Sequence, residues 1–453
     1  VAWIIGWDLT LEYTVAAATV ARGWSGYMVT FFQGFGVQLP AGLTSLDIGI
    51  SHADPTAGLL IILLTVLLAL GVKDSSRFNF VLVVMTVIVI FLVLFAGVFY
   101  VDTKNWSPFL PFGVNGVFAG ASLVFFSYVG FDSVTTLAEE MKNPKKDLPI
   151  GIIGSLVASL VLYTAVAAVL TLMVSYDQID TDSPIASAFD NLGLGWIKVI
   201  ISIGAFAALT TTLLNSMLGQ SRIYYSMARD GLLWPWVAEV HPRFKTPFNA
   251  QIVTGVFALI LALLFPIESL AETVSIGTLL AFTIVCISVL CIRYTYPQKP
   301  QRVIQLVLVV TGLALFTSFS IANGWHIAVS IIFGLITLGV SALFFFLQPS
   351  GDVDASFLCP LLPYTPVLGI YSNVFMMANL GWQTWVRLLV WLLVGFVIYF
   401  GYSIKHSKLN RMTQALGASP KSAFQTLVEE DEPQNNDHQD VVVYENGFEN
   451  RSQ

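Results

Sequence analysis

Charge is what this sequence has least of. Only 11% of its 453 residues are Asp, Glu, Lys or Arg, whereas ordinary soluble domains are about a quarter charged. That scarcity excludes a water-facing surface over most of the chain. Cysteine is nearly absent too: Cys286 and Cys291 sit five apart in one apolar run and Cys359 in a loop. Neither a disulfide framework nor a metal-ligand spacing follows from them. No phosphate-binding loop, metal-ligand cluster or paired catalytic constellation is present, so the sequence supports no enzyme and calls for no cofactor. No basic patch points to nucleic acid. Residue 1 is Val, and no charged n-region or cleavage site precedes the first apolar run. That pattern is not a signal peptide; it reads as a chain cut inside a helix, with part of the protein upstream.

What the chain does have is apolar length. Hydrophobic residues make up 56% of it, and its mean hydropathy is +0.77. The net charge of −7 comes largely from the Glu429–Asp440 region of the tail. A membrane helix needs ~20 mostly apolar residues. Twelve candidates fit, at roughly 1–33, 57–72, 78–101, 113–139, 149–175, 193–227, 249–265, 271–293, 302–322, 325–347, 365–380 and 384–404. None alternates with the period of a barrel strand. The expected fold class is therefore an all-α membrane protein, because only helices and closed barrels satisfy their backbone in lipid.

Lys and Arg are distributed unevenly between the loops. Lys73, Arg77, Lys142, Lys145, Lys146, Arg229, Arg243, Lys245, Arg293, Lys299 and Arg302 fall on alternate loops, and Lys405, Lys408 and Arg411 follow the last run. Loops 34–56, 176–192 and 266–270 have neither residue; Lys104 is the exception on that side. The positive-inside rule then starts the first helix in the cytoplasm and leaves the tail 405–453 there. The tail is polar and acidic and reads as disordered. It is either a solvated end or, through Val441–Tyr444, a docking segment.

Charges within apolar spans are costly and mark functional candidates. Asp8, Glu12, Arg22, Asp132 and Arg222 are such residues, and Arg387 opens the last run, where it could simply reach the interface. Glu12 lies among Gly6, Ala16, Ala17, Ala18, Thr19 and Ala21, small residues that suit close helix packing. It is either a buried neutral acid or a coupling group beside a binding site. In "FFSYVGFDSVTTLAEEMKNPKKDLPIG", Gly130 weakens the helix. Ser127, Asp132 and Ser133 compete for its backbone bonds. This is the expected signature of a discontinuous helix of the kind that binds substrate in secondary transporters; the alternative is a glycine kink for packing. Glu139 and Glu140 beside Lys142 form either a salt-bridged cap or a gate. Thr210, Thr211, Thr212 and Asn215 either line a pathway or bond to their own helix.

Three of these stretches carry a family resemblance. "GWDLTLEYTVAAATVARGWSGY", "FFSYVGFDSVTTLAEEMKNPKKDLPIGI" and "QSRIYYSMARDGLLWP" resemble the cationic amino acid transporter family of the amino acid–polyamine–organocation superfamily. The C-terminal "LPYTPVLGIYSNVFMMANLGWQTWVRLLVWLLVGFVIYFGYSIKHS" is similar to that family's last two helices. The resemblance runs in order to about residue 408. It implies an inverted-repeat (5+5) transporter fold lacking its first two helices, with four extra helices at the C-terminus. Residues 1–101 would be the rest of the first repeat, 102–300 the second, 301–404 the C-terminal helices and 405–453 the tail.

By the same resemblance, Phe126, Ser127 and Val129, with Gly130 and Asp132 at the break, would hold the substrate's α-amino group. Glu12 would be a support or coupling residue, and Thr211 and Asn215 join it as candidates. Thr86 stands where bacterial relatives have a lysine suited to carrying a proton, so it leaves the coupling ion open and leans towards a facilitator. The expected function is secondary transport of amino acids, cationic ones such as arginine and lysine, by alternating access through a lipid bilayer. A carrier of neutral amino acids or polyamines and a non-transporting membrane sensor are the alternatives. The plasma membrane and a vacuolar or lysosomal membrane are both open.

Overall fold

A computed structural model describes residues 2–43, 46–47, 52–71, 76–136, 143–294, 300–325, 327–347 and 359–416. Each of the twelve apolar runs has helix within it, with edges shifted by a few residues. In chain order these are α1 (Ala2–Gly34), α2 (Pro55–Ala69), α3 (Ser76–Val98), α4 (Gly113–Val124), α5 (Ser133–Thr136), α6 (Pro144–Met173), α7 (Pro184–Asn191) and α8 (Gly195–Arg229). They continue as α9 (Phe248–Leu264), α10 (Ile267–Tyr294), α11 (Pro300–Ala322), α12 (Ile327–Ala342), α13 (Tyr364–Ala378), α14 (Trp382–Ile398) and α15 (Lys408–Leu416). The only described strand pairing is a two-residue antiparallel rung, Leu46–Asp47 against His52–Ala53. Six helical segments, within α3, α6, α8, α10 and α11 and from Trp382 through His406, are long and apolar enough to cross a membrane.

Local chemistry sets several helix starts. Asp54 caps α2 by accepting from the Ala57 amide at 2.9 Å, and Pro55 follows in the first turn, where it needs no donor. Pro144 and Pro184 open α6 and α7 in the same way. Three features differ from the sequence expectation. α6 begins about a turn before residue 149, because Pro144 supplies a helix start that hydropathy does not register. Loop 176–192 contains α7, which buries Ala186, Ala188 and Phe189. The expected disordered tail starts with a helix: in α15, Lys408 donates its amide to the Asp230 carbonyl at 3.0 Å, which fixes the first turn against the end of α8. The Glu139–Glu140 pair, Lys142 and Val441–Tyr444 lie outside the described residues.

α1 is the centre of the bundle. It packs mainly on α8 and α10, with α9, α2 and α14 around them. Leu11, Val15, Ala17, Ala18, Leu213 and Val274 lie in its core. α11, α13 and α10 enclose a second core around Leu290, Val310 and Ile370. α3 and α6 keep most of their apolar side chains outward: Phe80, Phe95, Ile150 and Val161 are exposed. Their polar backbone is satisfied within each helix, so a hydrocarbon solvent suits that surface where water does not.

Candidate substrate site at the broken helix

The helix that starts at Gly113 does not continue. α4 ends at Val124, and a tighter 3-10 turn takes Phe125–Tyr128. Val129 is extended, at φ −65° and ψ 137°. Gly130 then takes φ +119°, a backbone geometry that residues with a side chain rarely adopt, before α5 resumes at Ser133. Nothing lies within 4 Å of where a Cβ on Gly130 would stand, so conformation and not crowding demands glycine here.

Asp132 holds the break together. One carboxyl oxygen accepts the Gly130 amide at 3.1 Å. The other accepts the Tyr13 hydroxyl at 2.7 Å. Its backbone carbonyl accepts the Thr135 amide at 2.9 Å, which starts α5. The carboxylate is thus spent on positioning the unwound segment and tying it to α1. The Phe126 carbonyl already accepts the Val129 amide at 3.2 Å. The Val129 carbonyl accepts no hydrogen bond among the described residues.

Several expected residues come together at this point. Phe126 and Val129 pack half-buried on the core formed by α1 and α8. Tyr13 links Asp132 to the helix that carries Glu12, and Glu12 is fully buried with Asp132, Asp8 and Thr278 around it. Ser127 is exposed. Among the described residues, three other candidates show no hydrogen bond to the site. The Thr86 hydroxyl donates to Leu82 of its own helix at 2.9 Å. Thr211 donates to the Ala207 and Ala208 carbonyls, the self-bonded alternative of the sequence reading. Asn215 is exposed on α8.

Sequence reasoning missed three polar links. Arg387 does not merely reach the interface: it donates to the Ser269 carbonyl at 3.2 Å and stands 3.5 Å from Glu272, which also accepts from Thr384 at 2.6 Å. Arg22 donates to the Ala262 carbonyl near the end of α9 at 2.7 Å. It also lines a polar cavity of about 400 Å³ with Ser25, Thr30, Asp54, Asp180 and Asp182. The third link is the Tyr13–Asp132 bond. Residues 119 apart in the chain give no local pattern that would reveal it.

A helical bundle with an apolar exterior and an unwound helix turned towards its core is the architecture of an integral membrane transport protein. The chain belongs to the amino acid permease family: that family's profile, described as "Amino acid permease", matches residues 1–371, and one described as "C-terminus of AA_permease" matches residues 357–407. It is 37% identical over 415 residues to the branched-chain amino acid permease BcaP of Bacillus subtilis, covering 90% of this chain and 78% of that protein. It is 36% identical to the methylthioribose transporter of the same bacterium, with the same coverage of both chains. It is also 35% identical over 480 residues to the vacuolar cationic amino acid transporter 4 of Arabidopsis thaliana, covering 90% of this chain and 80% of the relative. The protein is an integral membrane amino acid transporter and not an enzyme.

Proposed function

We propose that this chain moves cationic amino acids, arginine and lysine, by alternating access. The observation that carries the reading is the interruption of the α4–α5 helix at Phe125–Ser133. An amino acid's α-ammonium group needs acceptors, and an unwound segment offers backbone carbonyls without burying a full protein charge. The Val129 carbonyl is the acceptor best placed for it, with Phe126 and Ser127 beside it and Gly130 and Asp132 shaping the turn. Glu12 supports the site from α1. Residues 1–101 and 102–300 belong to two inverted repeats, with 301–404 added after them and the tail in the cytoplasm.

Two features favour a cationic cargo. The vacuolar relative carries "cationic" in its name, and Glu12 is a fully buried acid near the break. The branched-chain relative favours a second reading, a neutral cargo, at a similar identity. Uptake of labelled arginine, lysine and leucine by the full-length protein in vesicles decides between them. The cationic reading expects arginine and lysine to compete with each other and leucine to compete with neither. Leucine uptake that arginine does not inhibit would overturn it in favour of the neutral carrier.

A further inference from the structure

The polar cavity at the far end of α1 has no part in the site described above. Its volume of about 400 Å³ falls in the range of small-molecule pockets, about 300 to 1,000 Å³. At a rise of about 1.5 Å per residue, Arg22 stands about 15 Å along α1 from Glu12. The cavity is therefore separate from the broken helix, yet built on the same central helix. Its lining beyond α1 comes from segments 34–56, 176–192 and 266–270, which have no Lys or Arg. The positive-inside rule places that side away from the cytoplasm.

Packing fixes the walls. The Ser25 hydroxyl donates to one oxygen of Asp54 at 2.9 Å, and the same oxygen accepts the Ala57 amide. Thr30 donates to the Ser183 hydroxyl at 2.6 Å, which ties α1 to the start of α7. One oxygen of Asp180 accepts the Asp182 and Ser183 amides at 2.9 and 2.8 Å, and this folds the loop. Gly26 lets that loop close on α1: a Cβ there would lie 2.9 Å from the Asp182 carbonyl oxygen and 3.2 Å from the Asp182 Cβ. Ser25, Thr30, Asp54 and Ser183 are all buried.

Charge inside these walls is unbalanced. Arg22 is engaged: its Nε donates to the Ala262 carbonyl, and its charge faces Asp54 and Glu268. Asp54 is spent on capping α2. Asp180 and Asp182 remain, and among the described residues no hydrogen bond ends on the Asp182 carboxyl group. Burial first, then Asp180 and Glu268, hold that carboxyl above its ordinary value, as expected of negative charge without a cation beside it. Such an acid lowers stability at neutral pH. Costs of this kind are commonly kept where function needs them.

The missing partner is a cation. Hard metal ions take about six or more oxygens, and no group of three His, Cys, Asp or Glu among the described residues is arranged to hold one. A guanidinium or ammonium group on a flexible stem asks for less, since one or two carboxylate oxygens and a few neutral acceptors satisfy it.

We propose that this cavity is an outer recognition site for the cationic side chain of arginine or lysine, occupied before the amino acid reaches the broken helix. Clefts lined by one sign of charge concentrate substrates of the other sign. Asp180 and Asp182 are exposed to water, so they hold the side chain weakly and release it readily. A neutral amino acid gains nothing there, so the cavity favours cationic cargo over leucine. The proposal rests on reading the chain as a carrier of cationic amino acids.

The test uses the full-length protein in oriented vesicles, with labelled arginine offered to one face at a time. Asp182→Asn is expected to raise the half-saturating arginine concentration on the outer face about fivefold, the upper range for one exposed charge pair. The maximal rate and the half-saturation on the cytoplasmic face should hold. Asp182→Glu should restore the outer value. Asp177→Asn removes a charge from the same loop outside the cavity and should leave it unchanged. Calorimetry of the purified protein with arginine alone should show binding that Asp182→Asn weakens. If arginine is carried but Asp182→Asn leaves the outer value unchanged, or shifts both faces equally, the cavity proposal falls and the cationic carrier stands. If arginine is bound and Asp182→Asn weakens it, but arginine is not carried, the carrier reading fails and the cavity stands as a cation site. Arginine neither carried nor bound would overturn both.

Discussion

Trp7 of α1 and Trp391 of α14 exchange hydrogen bonds. Each indole N–H donates to the other residue's backbone carbonyl, at 2.9 and 3.1 Å, and the rings stack with centroids 4.4 Å apart. The two lie 384 residues apart, so this clasp fastens the C-terminal helix to the first one. Gly395, one turn further along α14, makes room: a Cβ there would meet the Trp7 ring at 2.4 Å.

Trp391→Phe keeps most of the ring contact but removes the indole hydrogen bond to the Trp7 carbonyl, which should cost about 1 kcal/mol. Gly395→Val drives a branched side chain into Trp7 and should cost about 1–3 kcal/mol. Thermal unfolding of the purified protein in detergent measures both, and equal melting temperatures for wild type and Gly395→Val would contradict the close packing.

Gly130→Ala should impair transport through the backbone alone. The φ of +119° is strained for alanine, at roughly 1–3 kcal/mol, although the space is open. Gly120→Ala is the control. It sits in the interior of α4, also with open space, and should leave uptake intact or slightly improve stability. Initial uptake rates of the two variants should therefore diverge; equal rates would mean that the turn tolerates a side chain.

Removing the Tyr13 hydroxyl unties α1 from the break. Tyr13→Phe leaves one oxygen of Asp132 without its donor, and the positioning of the Val129 carbonyl suffers. The expected result is a several-fold loss in uptake, within the range of about 1–3 kcal/mol for an unmade buried bond. Asp132→Asn keeps the shape of the turn and should do less damage than Asp132→Ala. If Ala and Asn prove equivalent, the carboxyl is not acting as the two-sided acceptor seen here.

Asp182, in the loop before α7, gives a pH signature. Burial first, then Asp180 and Glu268, push its carboxyl above the ordinary value of 3.8. The folded protein therefore holds this proton more tightly than the unfolded chain does. The stability it contributes is complete below about pH 3.8 and is lost as pH rises through the higher folded value. Asp182→Asn should raise the melting temperature at neutral pH, and the difference from wild type should shrink on acidification. A difference that grows with acid would reverse the assignment.

The Arg387–Glu272 pair should matter little by itself. Both side chains are partly exposed, and such pairs contribute about 1 kcal/mol or less. Salt should weaken what there is, so melting temperatures of wild type and Arg387→Gln should converge as ionic strength rises.

Much of this architecture is legible in the amino-acid sequence. Apolar length located the helices, because a bilayer imposes a length on every segment that crosses it. Gly130 and Asp132 announced the interruption, since glycine and short polar residues loosen a helix wherever they occur. The polar run of α8 was legible only as a choice between lining a pathway and bonding to its own helix, and the Thr211 hydroxyl donates to the Ala207 and Ala208 carbonyls. Start signals such as Pro144 and buried apolar faces such as that of α7 were underread, because hydropathy averages over them.

The amino-acid sequence by itself determined the class of protein, the helical segments and the place of the break, since each follows from local composition and spacing. Only the tertiary structure decided how distant residues meet. It gave Asp132 to Tyr13, joined Trp7 to Trp391 and buried Asp8 and Glu12 completely. Those outcomes depend on which helix faces are pressed together, and a contact between residues far apart in the chain leaves no periodicity to read.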